Sequence, residues 1–264
     1  MTGFLLKKTF FDLWDNLFKI ALLNIGFIAS IAIPIMLPPL FSFVPVLQIA
    51  VLLIGILWVC IYLSAAALTL KAVSDYQTFD FGDFIKNLKT SWPFGLFFGV
   101  LVFLGVILFA VVIPFYAAME SLIGLFFAAI AAWTLLISVL ALQFFFAVRA
   151  RLDTKFSKII KKCFLIFFDN PLFCVFALLH NIFVLLVSVL LAFLFPGPAG
   201  VLLFLDEALR LRLLKYDWLE ANPAPETQGG RTGRRQIPWE AILIEEQEKT
   251  GTRSFRNFIF PWKD

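Results

Sequence analysis

The chain has 264 residues, of which 61% are hydrophobic and only 15% charged, and its mean hydropathy is +0.94. Soluble domains run near about 45–50% apolar and 25% charged, so composition alone excludes an ordinary water-soluble fold. The formal charge of +4 would suggest nucleic acid in a soluble protein, but the basic residues fall between apolar runs. That pattern sets orientation in a bilayer and excludes nucleic acid as a partner.

Taken in chain order, LLKKTFFDLWDNLFK (5–19) precedes a stretch, 20–70, without a single charge. A bilayer core takes about 20 helical residues, so this stretch predicts two spans folded at Pro38, Pro39 and Pro45. No cleavable signal peptide is expected, because the apolar run after Lys7 and Lys8 is far too long and no A-x-A site closes it.

The next segment, DFGDFIKNLKTSWPF (80–94), sets Phe81, Phe84, Ile85, Leu88 and Trp92 at helical spacing against Asp83, Lys86, Asn87 and Lys89. It predicts an amphipathic helix along the membrane surface, with Pro93 opening the next span. Uncharged runs at 90–119 and 121–148, separated by Glu120, predict a second hairpin.

RARLDTKFSKIIKK (149–162) carries six basic residues and one acid. Its Arg149, Arg151, Lys155, Lys158, Lys161 and Lys162 form a basic surface expected at the inner leaflet, which places the N-terminus on the cytoplasmic side as well. Within it, Phe156, Ile159, Ile160 and Cys163 form the apolar face of another surface helix, and Pro171 opens a further span. The order of surface helix then hairpin thus recurs three times, the N-terminal segment being the loosest copy. A third hairpin predicts that the chain returns after PGPAG (196–200).

That return contains VLLFLDEALRLRLL (201–214), where Asp206 and Glu207 interrupt the apolar run. Charged groups in a span are functional candidates, and an unpaired one costs about 2.5–3.5 kcal/mol at mid-depth. Arg210 follows Asp206 at i,i+4 and Glu207 at i,i+3, so a ladder within the helix is the expected structural explanation; the alternative is an ion pathway. His180 and Asn181, inside the preceding span, read either as relay or ligand contacts or as polar bonds between helices. Asn24, Gln48, Thr134 and Gln143 read as such interhelical bonds.

Cys60, Cys163 and Cys174 have neither disulfide-framework nor zinc spacing, which predicts buried reduced thiols. No Walker loop, HExxH or GxSxG occurs, so neither an enzyme nor a cofactor is expected. After Trp218 the composition turns polar. NPAPETQGGRTG (222–233) is linker-like, PWEAILIEEQEK (238–249) predicts a short helix, and the end is SFRNFIFPWKD. Its Phe255, Phe258, Phe260, Trp262 and Lys263 form a candidate interaction motif, for the protein's own cytoplasmic face or the membrane first and a partner protein second.

NLFKIALLNI (16–25), AAALTLKAV (65–73) leading into FGDFIKNLKTSW (81–92), and FSKIIKKCFLIFFDNPLF (156–173) together resemble the YesL-like family of bacterial membrane proteins, over roughly residues 5–215. The resemblance implies a multi-span protein of the cytoplasmic membrane, without assigned catalytic residues and associated with carbohydrate importers of the ATP-binding cassette type. The chain departs from the family pattern in PIMLPPLFSFVP (34–45) and in its long tail.

The expectation is an all-α polytopic membrane helix bundle of about six spans in three hairpins, residues 1–218, with a cytoplasmic tail, 219–264. Five spans would carry Arg210, Arg212 and Lys215 to the outside, against the charge rule. Two functions remain open: a non-enzymatic accessory or regulatory component tied to carbohydrate uptake, and a small transporter or channel using Asp206, Glu207, Arg210 and His180. Paired charges in a packed bundle favour the first, and a polar central cavity beside broken helices favours the second.

Overall fold

The computed structural model describes residues 1–222, 237–251 and 253, and every regular element among them is helical. In chain order these are α1 (Thr2–Asp15), α2 (Leu17–Met36), α3 (Pro45–Ser74), α4 (Phe81–Ile107), α5 (Ile113–Ala117), α6 (Leu122–Leu142), α7 (Phe145–Arg151), α8 (Phe156–Asp169), α9 (Pro171–Leu190), α10 (Gly197–Ala221), α11 (Trp239–Ile242) and α12 (Ile244–Thr250). A 3₁₀ turn, Pro38–Phe41, joins α2 to α3, and a π-helical turn, Leu108–Val112, joins α4 to α5.

Five stretches among the described residues are long and apolar enough to cross a bilayer: Leu17–Phe41, Pro45–Ser74, Phe81–Ala117, Leu122–Arg151 and Pro171–Leu190. They expose side chains such as Leu122 (86%) and Leu172 (84%). No soluble surface tolerates that much apolar area, whereas lipid does. The protein is an integral membrane protein of the all-α class. The predicted turns, at Pro38–Pro45 and around Glu120, are where these stretches meet.

Helix contact is closest between α3 and α4. Gly95 and Gly99 stand one turn apart, and a Cβ on Gly95 would come within 2.7 Å of the Cys60 carbonyl oxygen. Small residues let two backbones approach where lipid provides no hydrophobic drive for association. Ser64 then donates to the Ser91 carbonyl across the seam at 3.1 Å, and Tyr62 donates to the Leu23 carbonyl on α2 at 2.7 Å.

Two of the expected surface helices are not separate surface helices. Residues 80–94 do not lie apart from the following span: a capping box at Asp80 starts α4, which continues unbroken through Pro93. Its Phe84, Ser91, Phe94 and Gly95 are buried, so the apolar face of 80–94 is the start of the helix–helix seam. The N-terminal segment also departs. In α1, Leu5, Lys8, Thr9, Phe11 and Leu13 are all buried, so Lys8 and Thr9 turn inward with the apolar face. The third copy fits: α8 buries Ile159, Cys163, Ile166 and Phe167, exposes Lys155, Lys158 and Lys161, and breaks at Asn170 before Pro171.

The last hairpin does return. Its second arm, α10, is not among the five stretches long and apolar enough to cross a bilayer, so five rather than the expected six are found among the described residues; α10 is buried almost continuously from Gly197 to Leu211 and packed on α1, α2, α3, α7 and α9. Asn24 of α2 holds its start. The Asn24 amide donates to the Leu194 and Pro196 carbonyls at 3.0 and 2.8 Å, and its oxygen accepts from the Ala199 N–H at 3.0 Å. Gly197, at φ +61°, faces the same side chain, and a Cβ there would collide with it.

Candidate functional site

Because α10 is surrounded, its successive polar residues each meet a different neighbour. The sequence predicted a ladder of Asp206 and Glu207 with Arg210 along one helix; the structure does not contain it. Asp206 instead accepts from Arg151 of α7, through Nε at 2.9 Å and Nη2 at 2.5 Å. Glu207 accepts from Lys8 Nζ at 3.3 Å and from the Thr9 hydroxyl, both on α1. Arg210 donates to Asp75 at 2.5 Å, to the Ser74 carbonyl at 2.7 Å and to Glu246 of α12 at 2.7 Å. An i,i+4 pair is a surface device worth a few tenths of a kcal/mol. A buried helix is better served by partners that come from outside and satisfy every lone pair.

These contacts join into one cluster. Arg151 also reaches Asp75 at 3.0 Å and the Ser74 hydroxyl at 2.8 Å. Lys8 bonds Asp12 at 2.5 Å and the Ser74 carbonyl at 3.2 Å, and lies 4.1 Å from the Tyr76 ring centre. Tyr76 donates to the Glu246 carboxylate at 2.8 Å and meets the Thr250 hydroxyl at 3.2 Å. The C-terminal end of α3 is therefore the hub, and α1, α7, α10 and α12 converge on it.

Burial is deep. The side chains of Lys8 and Glu207 are wholly inaccessible, and Asp206 keeps 3% exposure. Burial pushes the Lys8 ammonium down, but Glu207 and Asp12 more than reverse this, so its pKa lies above the ordinary 10.5 and it stays charged. Burial drives the Tyr76 phenol up to about 12, so it remains a hydrogen-bond donor.

No known family, curated protein or solved structure matches the chain. The cluster is thus read on its chemistry alone: guanidinium and ammonium groups locked to carboxylates, with donors matched to acceptors across five helices.

The remaining candidates fall elsewhere. His180 stacks on Phe204 with ring centres 3.8 Å apart and, with Thr9, lines a largely apolar cavity of about 390 Å³. Neither it nor Asn181 bonds to the ionic groups of the cluster among the described contacts. Gln143 ties α6 to α9 by donating to the Cys174 carbonyl at 2.9 Å, as the interhelical reading required.

The predicted basic surface divides. Arg151 points inward, into the cluster, and Arg149 lies over the Phe94 ring at 4.0 Å. Lys155, Lys158 and Lys161 are exposed as expected, and Lys162 pairs with Asp153 at 3.4 Å. A guanidinium at the end of a span reaches back over apolar surface far more readily than its position in a basic run suggests. The cysteines are unbridged and buried. Phe255, Phe258, Phe260, Trp262 and Lys263 lie outside the described residues.

Sequence reasoning missed Lys8, Thr9, Asp12, Asp75, Tyr76 and Glu246. For Glu246 a signal existed: Leu243, Glu246 and Thr250 share one helical stripe, which placed the acid on the buried face of α12. Lys8 and Glu207 stand 199 positions apart, and no spacing rule spans that distance.

Proposed function

We propose that this integral membrane protein is a non-enzymatic accessory or regulatory component of the bacterial cytoplasmic membrane, serving carbohydrate uptake as its resemblance to the YesL-like family implies. The observation that carries the reading is the pairing of the cluster. Asp206, Glu207 and Arg210 are each bound to counterparts on other helices and closely packed, whereas a substrate path needs polar groups that face an open cavity. The basic connectors support placing the α7–α8 side in the cytoplasm. On that side α12 rests against the cluster through Glu246, in a position to pass a contact made by the tail to the spans.

A transport reading draws on one observation, the cavity that His180 and Thr9 both line, Thr9 being a donor to Glu207. Flux into liposomes separates the two. The accessory reading expects no solute or ion flux from wild type or Asp206→Asn, and expects crosslinking in intact membranes to recover an importer subunit with the full chain. Flux that Asp206→Asn abolishes would establish transport and refute the proposal.

A further inference from the structure

The charges of the cluster do not balance. Its acids are Asp12 on α1, Asp75 after α3, Asp206 and Glu207 on α10, and Glu246 on α12; its cations are Lys8, Arg151 and Arg210. Five carboxylates thus face three cations. The excess divides evenly, because Arg151 and Arg210 hold Asp75, Asp206 and Glu246, while Lys8 alone holds Asp12 and Glu207. The first half has relief: Asp75 keeps 29% exposure, and Lys249, itself exposed, stands 5.9 Å from the Tyr76 ring. The second half has little. Glu207 is sealed, Asp12 keeps 13%, and the ammonium between them is sealed as well.

Other neighbours do not supply the missing charge. From α9 the approaching titratable group is His180, whose ring lies against Phe204. From the end of α3 it is Tyr76, whose ring centre lies 4.1 Å from Lys8 Nζ, beside the Ser74 carbonyl, an acceptor for Lys8. Lys7 turns away to the Gly251 carbonyl at 3.3 Å. Two ionised carboxylates about one buried ammonium leave an uncompensated charge where water cannot screen it, and such pairs keep a proton. The hydroxyl of Thr9 on Glu207 fits this, since a hydroxyl both donates to a carboxylate and accepts from a carboxylic acid.

We propose that Asp12 and Glu207, gathered about Lys8, form a proton-binding site that holds one exchangeable proton at neutral pH. The two carboxyls share that proton on either side of the Lys8 ammonium. Its loss leaves two acids repelling across the α1–α10 contact, so this site couples proton occupancy to the seating of α1.

Infrared difference spectroscopy of the full chain in detergent, in H₂O and D₂O, tests this. The expected result is a carboxylic-acid carbonyl stretch at neutral pH, equivalent to one group per chain, shifted by deuterium and lost in both Glu207→Gln and Asp12→Asn. Thr9→Val, a milder change, is expected to shift the band without removing it, and it decides the matter if either carboxyl variant fails to fold. Absence of a protonated carboxyl in the wild type, a band that survives both carboxyl variants, or one unmoved by Thr9→Val overturns the proposal. None of these readouts depends on flux or on a partner, so the site stands or falls apart from the accessory reading.

Discussion

Arg151 is the most connected side chain of the cluster, and Arg151→Met removes its charge while keeping most of its apolar stem. Asp75 loses one partner but retains Arg210 at 2.5 Å. Asp206 loses both bonds to Arg151, at 2.9 and 2.5 Å, and is left without a counter-charge at 3% exposure. Breaking a buried pair on one side costs about 3–5 kcal/mol, because the remaining acid must stay charged without a partner or take up a proton. The expected loss is therefore in that range, measured by denaturant titration in mixed micelles. Adding Asp206→Asn to Arg151→Met removes the stranded acid and should recover a large part of the loss, a coupling that a double-mutant cycle isolates. Lys86→Met is the control: its bond to Asp83 spans 3.3 Å with Lys86 80% exposed, and no measurable change is expected. An Arg151→Met protein as stable as that control, or one that Asp206→Asn fails to rescue, would refute the electrostatic account.

Four further outcomes follow from other contacts. Gly95→Val should separate α3 from α4, because its side chain has no room beside the Cys60 carbonyl; loss of monodispersity in gel filtration would report it. Asn24→Leu leaves the Leu194 and Pro196 carbonyls bare, at a cost of on the order of 1–3 kcal/mol each, read as faster amide exchange across 192–200. Asp169 is pushed up by partial burial, but Tyr216, Lys215 and Asn170 pull it down further, so its pKa lies below the ordinary 3.8. A carboxylate lowered in the folded state contributes stability above that ordinary value and loses it as pH falls through the folded one; amide exchange at the α8–α9 junction should accelerate only in that acid window. Ending the chain at Asn222 removes α11 and α12, uncovers Tyr76, and should bring its phenol from about 12 back toward 10, seen as tyrosinate absorbance appearing at lower pH.

Most of the fold was legible because lipid imposes a simple rule: long uncharged runs become spans, and prolines or a lone Glu120 mark their ends. The break at Asn170–Pro171 was legible for the same reason. Less accessible was the choice between a helix that lies on the surface and one that enters the bundle, since both carry the same apolar stripe. In 80–94 the decision came from Gly95 and Gly99, which draw the helix onto α3. In α1 it came from Lys8, whose counter-charge on α10 lies near the other end of the chain. The acids of α10 were recognised as needing partners, but the partners named were the nearest in sequence. A central helix has neighbours on every side, so proximity along the chain carries little weight there. Glu246 shows the converse, a charged residue whose place on an apolar stripe already pointed inward.

The bond between Lys8 and Glu207 also fixes an order of events during synthesis. When α1 and α2 leave the ribosome, neither the acid that receives Lys8 nor the turn that Asn24 grips has been made; both arrive 170 or more residues later. Until then Lys8 and Thr9 lack Glu207, and Asn24 lacks the backbone groups of 194–199 that it bonds in the finished fold. Assembly therefore completes only after α10 has been translated, because a chain that stops before Gly197 lacks the helix on which α1, α2, α3, α7 and α9 all pack.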